Sequence, residues 1–373
     1  MTIYLLHTAD WQIGKGFGPI PGDDGAALRN QRLETVTTLA ELARTEEVDA
    51  VLVAGDVFDA QSVSDRTIRQ VFERLRAFPG PWILLPGNHD AAVAESVWDR
   101  ARRLGAVPEH VYLATEPAPI LLEEAGLAVL PAPLQRRHEP ADVTAWLDAA
   151  EIPAGYTPVG LAHGSVTGFL PAEAEAANPI APDRAATANL AYLALGDWHG
   201  TLQVDERTWY AGTPETDRFT SSHPSSALLV TLPGDGGSPA VETRATTRYR
   251  WHRLSQPLHE ADDVVALGDR LASLGEPTTD QVVDLTLRGA LTLADKADLD
   301  ELLAAWRGRL RHLRVDDTEL TTRASEADLA ALDGAGFVAT AAERLRQGAE
   351  AGEPADATAL EMLLAAYRRQ GGG

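Results

Sequence analysis

Short apolar runs recur through the first two-thirds of the chain, and several stop at a residue able to hold a metal. IYLL (3–6), AVLVA (50–54), WILLP (82–86), LAVLP (127–131), PVGLA (158–162) and AYLAL (191–195) are short and apolar on both faces. That is the pattern of strands buried between two layers. Helix-spaced residues lie between the early runs. Within 63–78, Ile68, Val71, Phe72 and Leu75 share one face, with Ser62 or Ser64 available as N-cap. The alternation predicts an α/β layered domain.

Further along, SSALLVTL (225–232) and AVETRATTRYRWHRL (240–254) flank PGDGGSP, a pairing that predicts a hairpin with a loose turn. After about residue 250 the pattern restarts. A helix at 261–274, the strand QVVDLTLRG, a helix at 296–313 and the strand-like RVDDTELT describe a small α/β domain. The last stretch reads as two helical pieces broken by GEPAD at 352–356. The expected division is a core at 1–250, a small second domain at 251–322 and a helical segment at 323–373.

Composition narrows the chemistry. The chain has no cysteine, so any metal must be held by His, Asp, Glu, Asn or Gln. That absence also fits a reducing, cytoplasmic setting. No window reaches the roughly 18 apolar residues of a membrane span, and no basic leader precedes MTIYLL. The expectation is a cytoplasmic protein without a membrane anchor. The net charge of -23 argues against a protein that simply coats nucleic acid. It leaves a nuclease open, because bound metals invert the local field of an acidic site. Only Lys15 and Lys296 are lysine; the other bases are arginine. Arginine suits bidentate phosphate contacts, and it equally reflects an Ala- and Arg-rich composition.

The strand ends carry the argument about function. The first leads to Asp10 and the second, through GDVFD, to Asp56 and Asp59. The third leads through PGNHD to Asn88, His89 and Asp90, a later one to His163, and the last through GDWHG to Asp197 and His199. Sites in α/β sheets form beyond the carboxyl ends of strands, so distant residues can converge there. Any one of these could be a turn or cap residue. As an ordered set they are not explained that way, since the chain has 10 histidines and three stand at strand ends.

This ordered set resembles the calcineurin-like metallophosphoesterases. Their pattern is D-x-H, GDxxD, GNH(D/E), a lone His and GHxH. LLHTADWQIG, GDVFD, PGNHD and YAGTPETDRF look like signature stretches of the SbcD-type nuclease subunits of DNA double-strand-break repair. The resemblance implies an α/β core of two packed mixed β-sheets flanked by helices, a small α/β cap and C-terminal helices. It implies two divalent metal ions, Mn²⁺ above Mg²⁺, placed for phosphodiester hydrolysis. By the family pattern Asp10, position 12, Asp56 and His199 would hold the first ion. Asp56, Asn88, His163 and position 197 would hold the second. His89 would protonate the leaving group, with Asp90 orienting its ring. It also implies DNA as substrate, an SbcC-type SMC-like ATPase as partner, and a homodimer.

Two positions depart from the pattern: Gln12 and Asp197 stand where the family has histidine. Gln12 can be read as an amide-oxygen ligand, as the holder of a metal-bound water, or as an open corner. Asp197 adds charge, and both changes favour harder cations such as Mn²⁺ and Mg²⁺ over Zn²⁺. Three functions follow: a metal-dependent DNA nuclease, a small-molecule phosphodiesterase or phosphatase on the same core, or a non-catalytic subunit. The 14 acids against 8 bases in residues 251–322 favour the second.

His7 and Trp11 are expected to pack. Trp198 either packs or stacks on a base. Arg307, Arg311 and Arg314 share a face if 306–314 is helical, either solvated or against a DNA backbone. Leu360, Leu363, Leu364 and Tyr367 form a stripe that packs on the protein itself or docks on a coiled coil.

Overall fold

The structure, a computed structural model, describes residues 1–169, 177–219, 225–323 and 336–369. It divides into two compact units, Met1–Tyr249 and Arg250–Gly373. The first unit begins with β1 (Ile3–Thr8), α1 (Gly22–Thr45), β2 (Ala50–Val53), α2 (Asp65–Leu75), β3 (Trp82–Leu84), α3 (Val97–Arg103) and β4 (Val111–Leu113). Then come β5 (Ile120–Leu122), β6 (Leu127–Ala132), β7 (Thr157–His163), β8 (Ser165–Val166) and β9 (Pro179–Ile180). It closes with α4 (Arg184–Thr187), β10 (Tyr192–Gly196), β11 (Leu202–Gln203), β12 (Thr208–Tyr210), β13 (Ser226–Leu232) and β14 (Ala240–Ala245).

Two six-stranded sheets result, ordered β14-β13-β1-β2-β3-β4 and β11-β12-β10-β7-β6-β5. Both are mixed. β1 to β4 run parallel, with β13 antiparallel to β1; β6, β7, β10 and β12 run parallel, with β5 and β11 antiparallel at the edges. Alternation along each strand splits its side chains between layers. Leu5, Leu52 and Ile83 of the first sheet meet Val129, Leu161 and Ala194 of the second. On the opposite face of the first sheet, Leu6, Val51, Val53 and Leu84 pack with Leu39 of α1 and Ile68, Val71 and Phe72 of α2. The second sheet's outer face packs Leu130, Leu193 and Leu195 with Leu147 and Ala185. The core is thus two mixed sheets face to face with helices outside, the expected α/β arrangement. Ser64, not Ser62, caps α2, its side chain accepting from Thr67 N.

The 225–254 stretch folds as the expected hairpin only in part. β13 and β14 pair antiparallel, but the second strand stops at Ala245 and the chain starts a new sheet at Arg250. That sheet joins β15 (Arg250–Leu258), β16 (Gln281–Thr292) and β17 (His312–Arg323), all parallel, with α5 (Ala261–Ala272) and α6 (Leu293–Arg307) as crossovers. Leu258, Leu267, Leu285, Leu287, Leu299 and Leu303 fill its core. The helix expected to reach 313 ends at Arg307, with Gly308 as C-cap, because the chain must turn to enter β17. Arg307, Arg311 and Arg314 therefore share no helical face. Arg314 lies in β17 and grips Asp284 of β16 with two bonds of 2.7 and 2.6 Å.

The last helices are Phe337–Glu350 and Pro354–Arg369. Leu360 and Leu364 are buried against Ala342, with Val338, Leu345 and Leu363 partly covered beside them. The leucine stripe is thus used within the second unit; the Tyr367 side chain lies outside the described residues. Among the described residues no helix is long and apolar enough to cross a membrane.

Candidate metal centre

Asp10 and Gln12 follow β1, Asp56 follows β2, and Asn88 and His89 follow β3. His163 ends β7, and Asp197 and His199 follow β10. The carboxyl ends of the parallel strands of both sheets thereby face one place. Four of these residues take left-handed backbone angles: Asp10 (φ 54°), Gln12 (44°), Asp56 (54°) and Asp197 (101°). Such conformations are costly outside glycine and persist when neighbours enforce them. Here Asp10 N donates to Gly55 O (3.1 Å), Gln12 N to Asp56 O (2.8 Å) and Ala54 N to Thr8 O (2.8 Å). Asp197 N donates to both Asp10 carboxylate oxygens, at 3.3 and 3.2 Å.

Ligand atoms of Asp10, Asp56 and His163 lie within 4.8 Å of one another. His163 Nε2 is 3.6 Å from Asp56 Oδ1 and 3.6 Å from Asp197 Oδ1. Asn88 Nδ2 donates to Asp197 Oδ1 at 3.4 Å. The other nitrogen of His163, Nδ1, donates to Ala54 O at 2.8 Å, the outer contact that fixes a ligating histidine. His163 Nε2 and Asn88 Oδ1 are buried with no hydrogen-bond partner. Buried polar atoms left so cost about 1–3 kcal/mol each, and a divalent cation among them would remove that cost. The donor set is oxygen-rich with one imidazole, which fits a hard cation.

The electrostatics agree. Burial alone would lower the His163 pKa, but the carboxylates of Asp56, Asp10 and Asp197 outweigh it and push it up to about 9. Burial raises Asp10 to about 6 against the pull of His199 and His163. The His163 shift, set by three carboxylates against burial, marks a pocket of negative potential.

Gln12 is arranged differently. Its Oε1 accepts from Lys15 Nζ at 2.9 Å, and Lys15 Nζ also donates to Asp217 Oδ2 at 2.6 Å. Its Nε2 faces His199 Nε2 at 3.2 Å. His199 Nε2 is 3.9 Å from Asp10 Oδ1, and its Nδ1 is 2.7 Å from an Arg218 nitrogen. Burial would raise Asp217, but His199 and the charges of Arg32 and Lys15 hold it well below the usual carboxylate range.

His89 stands at the rim, its Nδ1 donating to Asp59 O at 2.8 Å and its Nε2 4.0 Å from Asp56 Oδ2. Asp90 does not orient this ring. Its carboxylate turns inward and accepts from Phe58 N (3.0 Å) and Gly87 N (2.7 Å), tying the second and third loops together. Burial and the charge of Asp56 raise its pKa to about 8. The ring is set by the Asp59 carbonyl instead, a backbone role that residue identity does not advertise.

Sequence reasoning also missed Arg32. Buried on α1, it donates to Trp11 O (2.7 Å), Asp10 O (3.1 Å), Glu215 O (3.1 Å) and Thr213 Oγ1 (3.2 Å). Glu215 is buried too, accepting from Thr35, Thr247 and the Arg248 and Tyr249 amides. The only sequence signal was YAGTPETDRF, which carries Thr213, Glu215 and Asp217. His7 and Trp11 are buried as expected. His7 bridges the sheets through Tyr192 OH (3.0 Å) and Leu195 O (3.2 Å), and burial lowers its pKa to about 3. Trp198 packs partly buried beside the second sheet's outer core.

Residues 3–170 match the family model described as calcineurin-like phosphoesterase. The chain is 27% identical over 126 residues to the SbcD component of the nuclease SbcCD of Bacillus subtilis, 33% of this chain and 31% of that one. The match thus spans less than a third of that relative. It is 24% identical over 325 residues to the uncharacterized metallophosphoesterase YhaO of the same organism, 81% of this chain and 76% of that one. It is 24% identical over 278 residues to the DNA double-strand break repair protein Mre11 of Aeropyrum pernix, 70% of this chain and 65% of that one.

Proposed function

We propose, on the premise that residues 3–170 form a calcineurin-like metallophosphoesterase domain, that this chain is a metal-dependent DNA nuclease that hydrolyses phosphodiesters. The observation that carries the reading is the pair of orphaned ligand atoms, His163 Nε2 and Asn88 Oδ1, among the carboxylates of Asp10, Asp56 and Asp197. These residues would hold a divalent cation, Mn²⁺ or Mg²⁺. When bound, it would draw charge from a phosphoryl oxygen and favour a nucleophile at neutral pH.

The chain's own groups do the rest. Asp59 O holds Nδ1–H of His89, leaving Nε2 to carry the proton that a leaving alkoxide takes up. Asp90 keeps the His89 loop on the Asp56 loop. We assign hydrolysis to residues 1–250, a cap to 251–322 and partner contact to 323–373. The partner would be an SMC-like ATPase, met by exposed side chains such as Phe337 and Met362, and the nuclease would work as a homodimer in the cytoplasm. A small-molecule phosphodiesterase is the second reading. The acidic surplus in 251–322 favours it, since it offers a duplex no basic track.

The test is hydrolysis of labelled duplex and single-stranded oligonucleotides beside bis-p-nitrophenyl phosphate. Wild type and His89→Ala are compared in Mn²⁺, Mg²⁺ and chelator. Cleavage of oligonucleotides that needs the metal, and falls about 10²–10⁴-fold without His89, supports the nuclease. Cleavage of the small ester alone moves the assignment to the second reading. No hydrolysis of any ester overturns both.

A further inference from the structure

The family pattern places two metal sites at these strand ends, yet the two donor groups differ in a way that the substitutions alone do not reveal. At Asp56, Asn88, His163 and Asp197, two ligand atoms are buried and unpartnered. At Gln12 and His199, protein groups already claim the ligand atoms. Lys15 Nζ sits on Gln12 Oε1 at 2.9 Å and on Asp217 Oδ2 at 2.6 Å. This contact also fixes the amide, because flipping Gln12 would set its NH₂ against an ammonium. The amide NH₂ then faces His199 Nε2 at 3.2 Å, while Arg218 reaches His199 Nδ1 at 2.7 Å. A neutral imidazole accepts at one nitrogen only. Whichever donor takes it, the lone pair of His199 is spent within the protein.

We propose that this centre holds a single divalent cation, at Asp10, Asp56, Asn88, His163 and Asp197, and that the Lys15 ammonium occupies the place of a second. The inference rests on reading these strand ends as a metal centre. It gives Gln12 a role: a histidine there would offer a basic nitrogen to a metal, whereas the amide oxygen accepts from Lys15. Lys15 is one of only two lysines in the chain, and its side chain is 23% exposed. An ammonium so placed supplies a fixed positive charge for a phosphate oxygen.

Metal loading tests this without any substrate. The full-length chain is freed of metal with chelator and titrated with Mn²⁺, reading bound metal per chain and the Mn²⁺ electron paramagnetic resonance. The expected result is one ion per chain with the spectrum of an isolated ion, at least tenfold weaker binding in His163→Ala, and unchanged stoichiometry in Gln12→Ala. Gln12→His combined with Lys15→Ala is expected to take up a second ion and show spin coupling. A thermal melt checks folding; if the double variant is unfolded, Lys15→Met alone should raise loading above one. Two ions of similar affinity in wild type, no ion at all, loss of the ion in Gln12→Ala, or a folded double variant still holding one would each overturn the proposal. Hydrolysis measured on the same samples reads the phosphodiesterase assignment separately: one ion with no hydrolysis defeats that assignment and leaves this one standing.

Discussion

Arg32 spends its guanidinium on backbone, joining the carbonyls of Asp10 and Trp11 to that of Glu215. It therefore links the loop after β1 to the loop after β12, and both loops feed the centre. Burial lowers its pKa while Asp217 and Glu215 oppose the shift. Arg32→Met would leave Trp11 O without its donor, and Asp10 O and Glu215 O to share the single Thr213 hydroxyl. We expect a loss of about 3 kcal/mol or more, read by urea unfolding, with weaker Mn²⁺ binding in the folded fraction. Arg32→Lys should not rescue it, since an ammonium cannot span the fork. His89 and Asp90 should separate in the opposite sense from their adjacency. His89→Gln is expected to cut turnover about 10²–10⁴-fold while leaving Mn²⁺ affinity and melting unchanged. Asp90→Asn puts an NH₂ against an amide donor, and is expected to lower stability by about 1–3 kcal/mol.

At the scale of elements, the strand ends meet because small residues let them. A Cβ on Gly196 would lie 2.0 Å from Ala54 O, and one on Gly55 (φ +90°) 2.2 Å from His163 Nδ1. Gly196→Ala must push β10 away from the end of β2, so we expect at least tenfold weaker Mn²⁺ binding by titration in a protein that still folds. These meetings also explain what the sequence could reveal. Buried parallel strands are continuous apolar runs, so their ends, and the ligands there, stand out. Ser64 caps α2 as such residues do. Roles made through backbone or long-range contacts leave no such trace, as with Asp59 O on His89 and Arg32 on Glu215. The expected helix overruns α6 for a related reason: WRGRLRHLR has helical spacing, but pairing of Arg314 with Asp284 draws its end into β17. The Arg314 bonds hold the Asp284 carboxyl below the usual range. Folded-state depression of this kind stabilises above the unfolded carboxylate pKa and is lost as pH falls through the folded value. Asp284→Asn should therefore lower the melting of the second unit at neutral pH, with the difference from wild type vanishing toward acid.

For the whole molecule, charge sets the terms on which DNA can bind. A net charge of -23 repels a phosphate backbone at every distance beyond a few contacts, and salt screens that repulsion within about 10 Å at 0.1 M. A basic nuclease gains affinity by releasing counterions from many phosphates, so its log K falls steeply with log salt, at about 0.9 per phosphate neutralised. Among the described residues the bases near the centre that solvent reaches are few: Lys15, Arg218 and the rim histidine His89, and both Lys15 and Arg218 are already paired to Asp217. The slope should accordingly be shallow, equivalent to about two phosphates or fewer once His89 is replaced, against six to ten for a protein that tracks a duplex. Binding should also depend on the divalent ion, because the ion reverses the sign of the field at the carboxylates. Fluorescence anisotropy of a labelled single-stranded oligonucleotide with His89→Ala, from 50 to 300 mM salt and with Mn²⁺ or chelator, reads both. A steep slope that survives chelation would mean that a basic surface, not the centre, holds the DNA.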